Sequence, residues 1–456
     1  MNRQHYRNLL AGLFIALPSV ASATNGMNLE AYGPIAAGMG GASMAYDNGN
    51  AAMMNNPATL ALMESTGRFD FAVGFLGPDV NTTVPTSAGG TGRTATSSAD
   101  GYYMPAFGVM MREGDMTYGI GMFAQGGMGT EFAANSDLAL ITGEKVVSEL
   151  SVGRLLAPIT FRVNERLSFG ATVDFVWAGL DLKMAVPASQ LGSMSPSGSL
   201  AAILPTATAT GDWGTAYDAA RFDFDDESPY SGDAFGKGYA GKIGVVFQAT
   251  ESLTFGASYH SKTRLGDLKT NDAVVSLYDD TDGNPMNGAE VVVPMSGKIT
   301  VKDFQWPSFI GAGASWLATP KVQLVMDIKH IQWAEVMESF DMRFENAMGE
   351  LEVSMPQKWK DQTVVSLGGA YQFNEVLLLR AGYNYGKNPV PNSHLNVLFP
   401  AIVEHHYTLG FGYQLDAAQQ VNFSYIKGKE NVESGASGVR SSHGQDNWQL
   451  MYSYLF

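Results

Sequence analysis

Residues 167–177 read LSFGATVDFVW, with an apolar side chain at every odd position. The even positions carry Ser, Gly, Thr and Asp in turn as far as Asp174. Successive side chains of a β-strand point to opposite faces, so one face of this segment is apolar and the other is small or polar. The stretch therefore predicts a strand of an antiparallel sheet whose two faces meet different surroundings.

The same alternation recurs along the chain, for example in residues 253–260, 377–385 and 448–456. About fourteen such segments can be counted, many of them longer than the roughly five residues usual in a soluble β-sandwich. Short turns alternate with long polar connections, an asymmetry typical of barrels that cross an outer membrane. We predict an all-β fold, a transmembrane antiparallel β-barrel of about 14 strands, and prefer it to a soluble or fibrous β-protein.

The composition excludes several classes of protein. Aromatic residues make up 11% of the chain and charged residues only 16%, whereas disordered chains are poor in aromatics and rich in charge. The formal net charge of −16 argues against a nucleic-acid partner, which would require a basic surface. The absence of cysteine excludes disulfides, zinc–thiolate sites and a cysteine nucleophile.

The amino terminus has the pattern of a secretory signal peptide. Arg3 and Arg7 precede the apolar residues 9–20, and Ala21-Ser22-Ala23 provides the small residues of a cleavage site. We interpret residues 1–23 as the signal peptide. Combined with the predicted barrel, this export signal places the protein in the outer membrane of a Gram-negative bacterium.

Residues 24–67 do not alternate and are rich in Gly, Ala and Met. They include Gly-Met-Gly-Gly-Ala-Ser at 38–43 and Asn-Asn-Pro-Ala at 55–58. An apolar segment ahead of the first strand must be buried, and the lumen of a 14-strand barrel is too wide for its own small side chains to fill. We therefore predict an N-terminal hatch at 24–67 that plugs the lumen of a barrel formed by 68–456.

Several stretches resemble the outer-membrane long-chain fatty acid and hydrocarbon transporters of the FadL/TodX family. The hatch motif Asn56, Pro57 and Ala58 looks like the family's NPA signature, and FAQGGMGTEF at 123–132 is similar to the family segment in which the third strand kinks. The resemblance continues through residues 359–371 and 379–400. The last residue is Phe456, a terminal aromatic residue of the kind expected in substrates of the barrel-assembly machinery.

The resemblance implies passive uptake of hydrophobic small molecules, either long-chain fatty acids or aromatic or aliphatic hydrocarbons. In such proteins the ligand is captured by the outer loops, passes to a pocket beside the hatch and leaves sideways into the membrane. The kink at Gly126 and Gly127 is the implied lateral exit. The expected partners are the hydrophobic ligand, outer-membrane lipids, lipopolysaccharide and, during biogenesis, the assembly machinery, and we expect a monomer.

Two groups of residues are candidates for the ligand pocket. Met39, Met44, Met53 and Met54 carry flexible thioethers that accept many apolar shapes, although they could equally fill gaps in the packing of the hatch. Lys329 and Arg380 fall on predicted lumen faces. Either cation could anchor the carboxylate of an anionic ligand or belong to a hydrogen-bonded lumen wall.

We predict no enzyme activity, no metal site and no cofactor. Ser258 and His260 could suggest an acyl hydrolase, but the alternation turns His260 inward and no nucleophile signature accompanies it. The alternative function from another class is a structural or adhesive surface barrel that does not transport. The residues leave the ligand open between fatty acid, alkane and aromatic compound.

Overall fold

The computed structural model describes residues 25–85, 91–140, 142–204, 218–226, 232–279, 291–436 and 438–456. The predicted signal peptide lies outside these ranges. Within them, no helix is both long enough and apolar enough to cross a membrane.

The described residues form 22 strands and a few short helices. The strands are β1 (Gly67–Leu76), β2 (Pro78–Pro85), β3 (Thr91–Thr96), β4 (Tyr102–Glu113), β5 (Met116–Phe132), β6 (Val146–Arg162), β7 (Leu167–Pro187), β8 (Ala219–Phe224), β9 (Ala234–Gln248), β10 (Leu253–His260), β11 (Arg264–Leu265), β12 (Leu268–Asp279), β13 (Val291–Lys302), β14 (Phe309–Thr319), β15 (Val322–Ile331), β16 (Ser339–Asn346), β17 (Gly349–Pro356), β18 (Gln362–Gln372), β19 (Leu377–Gly386), β20 (His405–Gln414), β21 (Gln419–Ser434) and β22 (Arg440–Leu455). The α-helices are α1 (Pro34–Ala37) and α2 (Ala188–Leu191). The 3₁₀ helices are Gly49–Met53, Pro57–Leu62, Gly192–Met194, Ser199–Ile203, Trp333–Glu335 and Asn392–His394.

The strands form a closed antiparallel barrel, as predicted, because β1 pairs with β22 from Arg68↔Leu455 to Phe75↔Trp448. The closed sheet has 16 strands, which corrects the expected count of about 14. The two additional strands are β8 and β12, which join the far end of β7 to β9. Nearer the start of β7, β7 and β9 pair directly from Leu167↔Phe247 to Leu180↔Ala234, so the ring there has 14 members.

The alternation predicted from the sequence determines which side chains face outward. On β7, Val173 is 71% exposed while the adjacent Asp174 is fully buried. On β9, Ile243 is 61% exposed and Lys242 is buried. Apolar groups thus face the lipid and polar groups face the lumen, as expected for strands that satisfy their backbone by pairing within the membrane.

The two ends of the barrel differ. At one end, a two-residue turn joins β4 to β5. The first and last strands also meet at this end, where the amide of Gly67 donates to the carbonyl of Phe456 at 2.7 Å. At the opposite end the connections are long, and strands such as β12, β13, β16 and β17 pack their apolar side chains into one core. Since outer-membrane barrels keep short turns in the periplasm, the end with the long connections faces outward from the cell.

The residues ahead of β1, here called the N-terminal segment (residues 25–66), lie within the ring. The segment forms hydrogen bonds to β4, β6, β15 and β20, which are spread around the barrel. These bonds join Asn50 to Gly108 at 2.7 Å, Pro57 to Thr160 at 2.8 Å, Gly41 to Lys329 at 3.1 Å and Gly40 to Thr408 at 3.0 Å. Contacts from several sides bury nearly the whole segment.

Candidate ligand cavity and wall opening

The barrel wall is incomplete between β4 and β5. Their ladder begins at Glu113↔Met116 beside the short turn and stops at Ala106↔Phe123. Beyond that pair both strands continue, β4 to Tyr102 and β5 to Phe132, without pairing to each other. A barrel in lipid normally closes every ladder, so this gap interrupts the hydrogen-bonded wall.

A β-bulge in β5 produces the separation. The register of β5 against β6 shifts between Ala124 and Gly126, which leaves Gln125 as the extra residue. An extra residue bends the strand that carries it. The backbone carbonyl of Gln125 accepts a hydrogen bond from the hydroxyl of Tyr32 at 2.6 Å.

Gly126 and Gly127, the residues predicted at the kink, follow directly after the extra residue of this bulge. Gly126 pairs with Asn28 of the N-terminal segment, and a Cβ at Gly126 would overlap the carbonyl oxygen of Met27. A Cβ at Gly127 would overlap the carbonyl oxygen of Leu150 on β6. Close backbone approach therefore requires glycine at both positions.

A cavity of about 260 Å³ occupies the gap. Its lining combines inward-facing residues such as the buried Leu150 and Val152 with outward-facing residues such as Tyr103 and Trp177. Residues 26–30 of the N-terminal segment form a further side. Because both faces of the wall contribute, the cavity extends through the barrel wall beside the N-terminal segment.

The methionines that line this cavity differ from the four proposed from the sequence as candidates for the ligand pocket. Met39, Met44, Met53 and Met54 are buried in the packing of the N-terminal segment, and none of them lines this cavity. Met44 and Met54 instead line a smaller cavity of about 20 Å³ together with Lys329. The lining methionines are Met27, Met104, Met122 and Met128. Composition marked the N-terminal segment as rich in methionine, but only the pairing of β4, β5 and β6 determines which thioethers reach the gap.

Lys329 and Arg380 face the lumen, as the alternation predicted, but neither lines the cavity. Lys329 donates to the carbonyl of Gly41 at 3.1 Å. Arg380 donates to the side-chain oxygen of Asn422 at 2.9 Å and packs against Gly38. Both cations contact the N-terminal segment, which is the arrangement of a hydrogen-bonded lumen wall.

The predicted hatch motif is a local anchor. Asn56 caps the 3₁₀ helix Pro57–Leu62 by accepting from the amide of Ala58 at 3.1 Å. Its side-chain amide also donates to the carbonyls of Met44 at 2.7 Å and Val245 at 3.2 Å. The side chain of Asn56 therefore both caps the helix and joins the N-terminal segment to β9.

Below the cavity lies a buried ionic cluster that sequence analysis did not single out as a unit. Asp174 accepts from the guanidinium of Arg154 at 2.7 Å, from the ammonium of Lys242, and from the hydroxyl of Thr172 at 2.6 Å. Arg154 also donates to the side chain of the bulge residue Gln125. The period-two pattern could place each side chain inward, but only the register between strands brings them into contact.

Replacing Asp174 with Asn should strongly destabilise the barrel. The change leaves two buried cations without their shared carboxylate, and loss of one partner of a buried ion pair costs about 3 to 5 kcal/mol. Guanidinium unfolding in detergent, read by heat-modifiable gel migration, should show a lower midpoint than the native protein. Asp115→Asn in the exposed β4–β5 turn is the matched control, and equal midpoints for the two variants would contradict this assignment.

In the described part of the chain, Asp181, Asp225 and Asp226 bring carboxylate oxygens within 4.8 Å of one another. Protein groups already engage this cluster. The ammonium of Lys183 lies 2.8 Å from Asp225, and Asp181 accepts the amides of Asp226 at 3.2 Å and Asp233 at 2.8 Å. The cluster runs from the buried Asp181 to the exposed Asp226, and protein groups hold it in place.

Comparison with known proteins gives consistent matches. Residues 12–449 match the family model described as outer membrane protein transport protein (OMPP1/FadL/TodX). The solved structure of the Pseudomonas putida toluene transporter TodX is 31% identical, covers 94% of this chain and 99% of its own, and superposes with a TM-score of 0.81.

Two curated proteins show different extents of similarity. The long-chain fatty acid transport protein of Escherichia coli O6:H1 is 21% identical over 428 residues, which are 91% of this chain and 90% of that protein. An uncharacterized protein encoded in the 5′ region of the phosphoenolpyruvate carboxykinase gene of Chlorobium limicola is 55% identical over 62 residues. That match covers 13% of this chain and spans only 30% of the Chlorobium protein's length.

Proposed function

Because the chain belongs to the OMPP1/FadL/TodX family of outer-membrane transport proteins, we propose that it carries hydrophobic small molecules passively into the outer membrane. The protein is located in the outer membrane of a Gram-negative bacterium, and its relatives are transport channels rather than enzymes. The observation that carries the proposal is the cavity lined by both faces of the wall at the gap between β4 and β5.

The proposed route begins at the outward end, where the extra strands and loops bury an apolar core. A small apolar cavity of about 10 Å³ within this region is lined by Met337, Phe340 and Phe399. Met27 and Leu150 line both this small cavity and the large one. A ligand captured at the outer end would pass these two side chains, enter the large cavity and leave through the gap into the bilayer.

We further propose that residues 24–67 act as a hatch, with Asn56, Pro57 and Ala58 as its anchor, and that 68–456 form the barrel. The hatch would block the lumen to water and solutes while the ligand leaves sideways at Gly126 and Gly127. The hydrogen bonds from β4, β6, β15 and β20 support this proposal because they reach the N-terminal segment from several sides of the lumen. Lipopolysaccharide and the barrel-assembly machinery are its proposed partners, and we propose a monomer because one chain closes the ring.

Uptake by whole cells tests the function. The protein should be expressed in a Gram-negative host that lacks its own hydrophobic channels, and the initial uptake of labelled toluene, hexadecane and oleate should be followed. We expect at least one of the three to enter faster than in cells that carry the empty vector. If all three enter at the vector rate while the folded barrel is present, the surface barrel without transport becomes the better description.

A further inference from the structure

The gap between β4 and β5 is closed at both ends. On the side of the short turn it ends at the pair Ala106↔Phe123. On the side of the long connections, the chain just before β4 is hydrogen-bonded to β5. The amide of Ser98 donates to the carbonyl of Glu131 at 2.8 Å, and the amide of Glu131 donates to the hydroxyl of Ser97 at 3.0 Å. The gap is therefore a window in the wall with two fixed ends.

The side chain of Tyr102 crosses this window near its outer end. Tyr102 is the first residue of β4, where it pairs with Leu76 of β1. Its hydroxyl lies against the backbone of β5, because a Cβ at Gly129 would overlap this oxygen. The phenol ring of Tyr102 thus spans the space between two strands that have separated from each other at this height.

Tyr102 is one edge of the part of the window that the cavity occupies, and the pair Ala106↔Phe123 is the other. Met104 and Met128 line the cavity between these edges. At a strand rise of about 3.3 Å per residue, the Cα atoms of Tyr102 and Ala106 are roughly 13 Å apart. Side chains at both edges occupy part of this length, so a molecule several fused rings wide would touch Tyr102 as it leaves.

The two kinds of side chain along this opening differ in stiffness. The methionines carry flexible, unbranched thioethers, which can move aside for molecules of different shape. Tyr102 has a planar ring with only two side-chain torsions, and its hydroxyl is stopped by the backbone at Gly129. The methionine side of the opening can therefore adapt to a passing molecule, whereas the tyrosine edge is fixed.

We propose that Tyr102, held against Gly129, sets the largest width of molecule that can leave through the wall. This proposal rests on the proposed transport function with its exit at the gap, and it assigns a size-determining residue to that exit. The ring acts by its bulk alone. A narrow molecule passes beside it whatever its chemical class, and a wide one is retarded because it meets the ring.

Uptake by whole cells that carry the full-length protein tests this assignment with probes of different width. Toluene and linear hexadecane are the narrow probes, and pyrene, with four fused rings, is the wide probe. In the Tyr102→Ala variant the ratio of pyrene uptake to uptake of the faster narrow probe should rise by about tenfold, while the narrow rate stays within about twofold of native. Tyr102→Phe keeps the ring and should keep the native ratio.

The matched control is Tyr118→Ala, which removes a lipid-facing tyrosine of β5 beside the short turn, where Tyr118 pairs with Met111. Its uptake ratio should equal the native one. Tyr102→Leu, whose side chain is too short to reach Gly129, replaces the alanine variant if that variant lacks the heat-modifiable migration of a folded barrel.

An unchanged ratio in a folded Tyr102→Ala or Tyr102→Leu variant would overturn the proposal. So would an equal loss of narrow and wide probes, which would mean that Tyr102 only supports the wall. A raised ratio in Tyr102→Phe would contradict the role of the ring. If the native protein takes up neither narrow probe faster than cells with the empty vector, the transport function itself fails, which is a different result from a changed ratio.

Discussion

Deletion of residues 24–62 should convert a barrel that conducts almost no ions into an open, water-filled channel. The N-terminal segment is buried within the ring, whereas the lumen wall behind it carries polar side chains such as Asn384, His406 and Asn422. Water would replace the segment at these groups, as it does in porins, so the barrel should persist while the lumen opens. This is the largest effect we expect, because it removes the whole obstruction at once.

Single-channel recording in planar bilayers is the measurement. The deleted protein should show a large and steady conductance, and the native protein should show little or none. Heat-modifiable gel migration must first confirm that the deleted chain folds. A folded, inserted deletion variant that conducts no better than the native protein would rule out the N-terminal segment as the lumen plug.

Filling the wall cavity should abolish uptake without opening or unfolding the barrel. Met104 on β4 and Met128 on β5 line the cavity from the two sides of the gap, and both are only partly buried. Replacing both with Trp puts two large aromatic side chains into a space of about 260 Å³. Since the ligand would have to pass between them, uptake should fall to the level of cells without the protein.

The control is Met326→Trp, which changes the same residue type on the lipid-facing side of β15, away from the cavity. This variant should take up substrate at the native rate. The measurement is the initial rate of uptake of the hydrocarbon that the native protein transports fastest. The native protein and the two variants are compared at matched cell-surface levels. Native uptake by the folded Met104→Trp/Met128→Trp variant would show that the ligand leaves by another route.

A cavity-filling design is preferable to adding bulk at the kink itself. Valine at Gly127 would overlap the backbone of β6, and valine at Gly126 would overlap the backbone of Met27. Such substitutions would disturb the wall or displace the N-terminal segment, so a loss of uptake could not be ascribed to a blocked exit. The Trp variants leave both backbones in place.

The period-two pattern was sufficient to predict the membrane barrel and the direction of most side chains. Asp174, Lys329 and Arg380 face inward as the alternation required, because a side chain of a paired strand has only two directions available. Gly126 and Gly127 make close backbone contacts beside the register shift of β5, and glycine permits such contacts. Their use as a lateral exit stays a prediction.

The number of strands and the partners of the inward-facing side chains depended on the tertiary structure. The sheet gains β8 and β12 because a long connection folds back and pairs, which alternation within a single segment does not reveal. The sequence left Arg380 as either an anchor for a ligand carboxylate or part of a hydrogen-bonded lumen wall. It contacts Asn422, since register, not the strand's own sequence, selects the neighbour.

The sequence by itself thus determined a closed antiparallel barrel and an apolar segment that has to be buried, because these follow from periodicity, turn length and composition. Only the tertiary structure decided where the wall opens and which side chains line the opening. The cavity exists because the β4–β5 ladder stops at Ala106↔Phe123 while residues 26–30 pass behind it. Contacts between distant segments depend on strand register and on the path of the chain through the lumen, and neither is encoded in a local pattern.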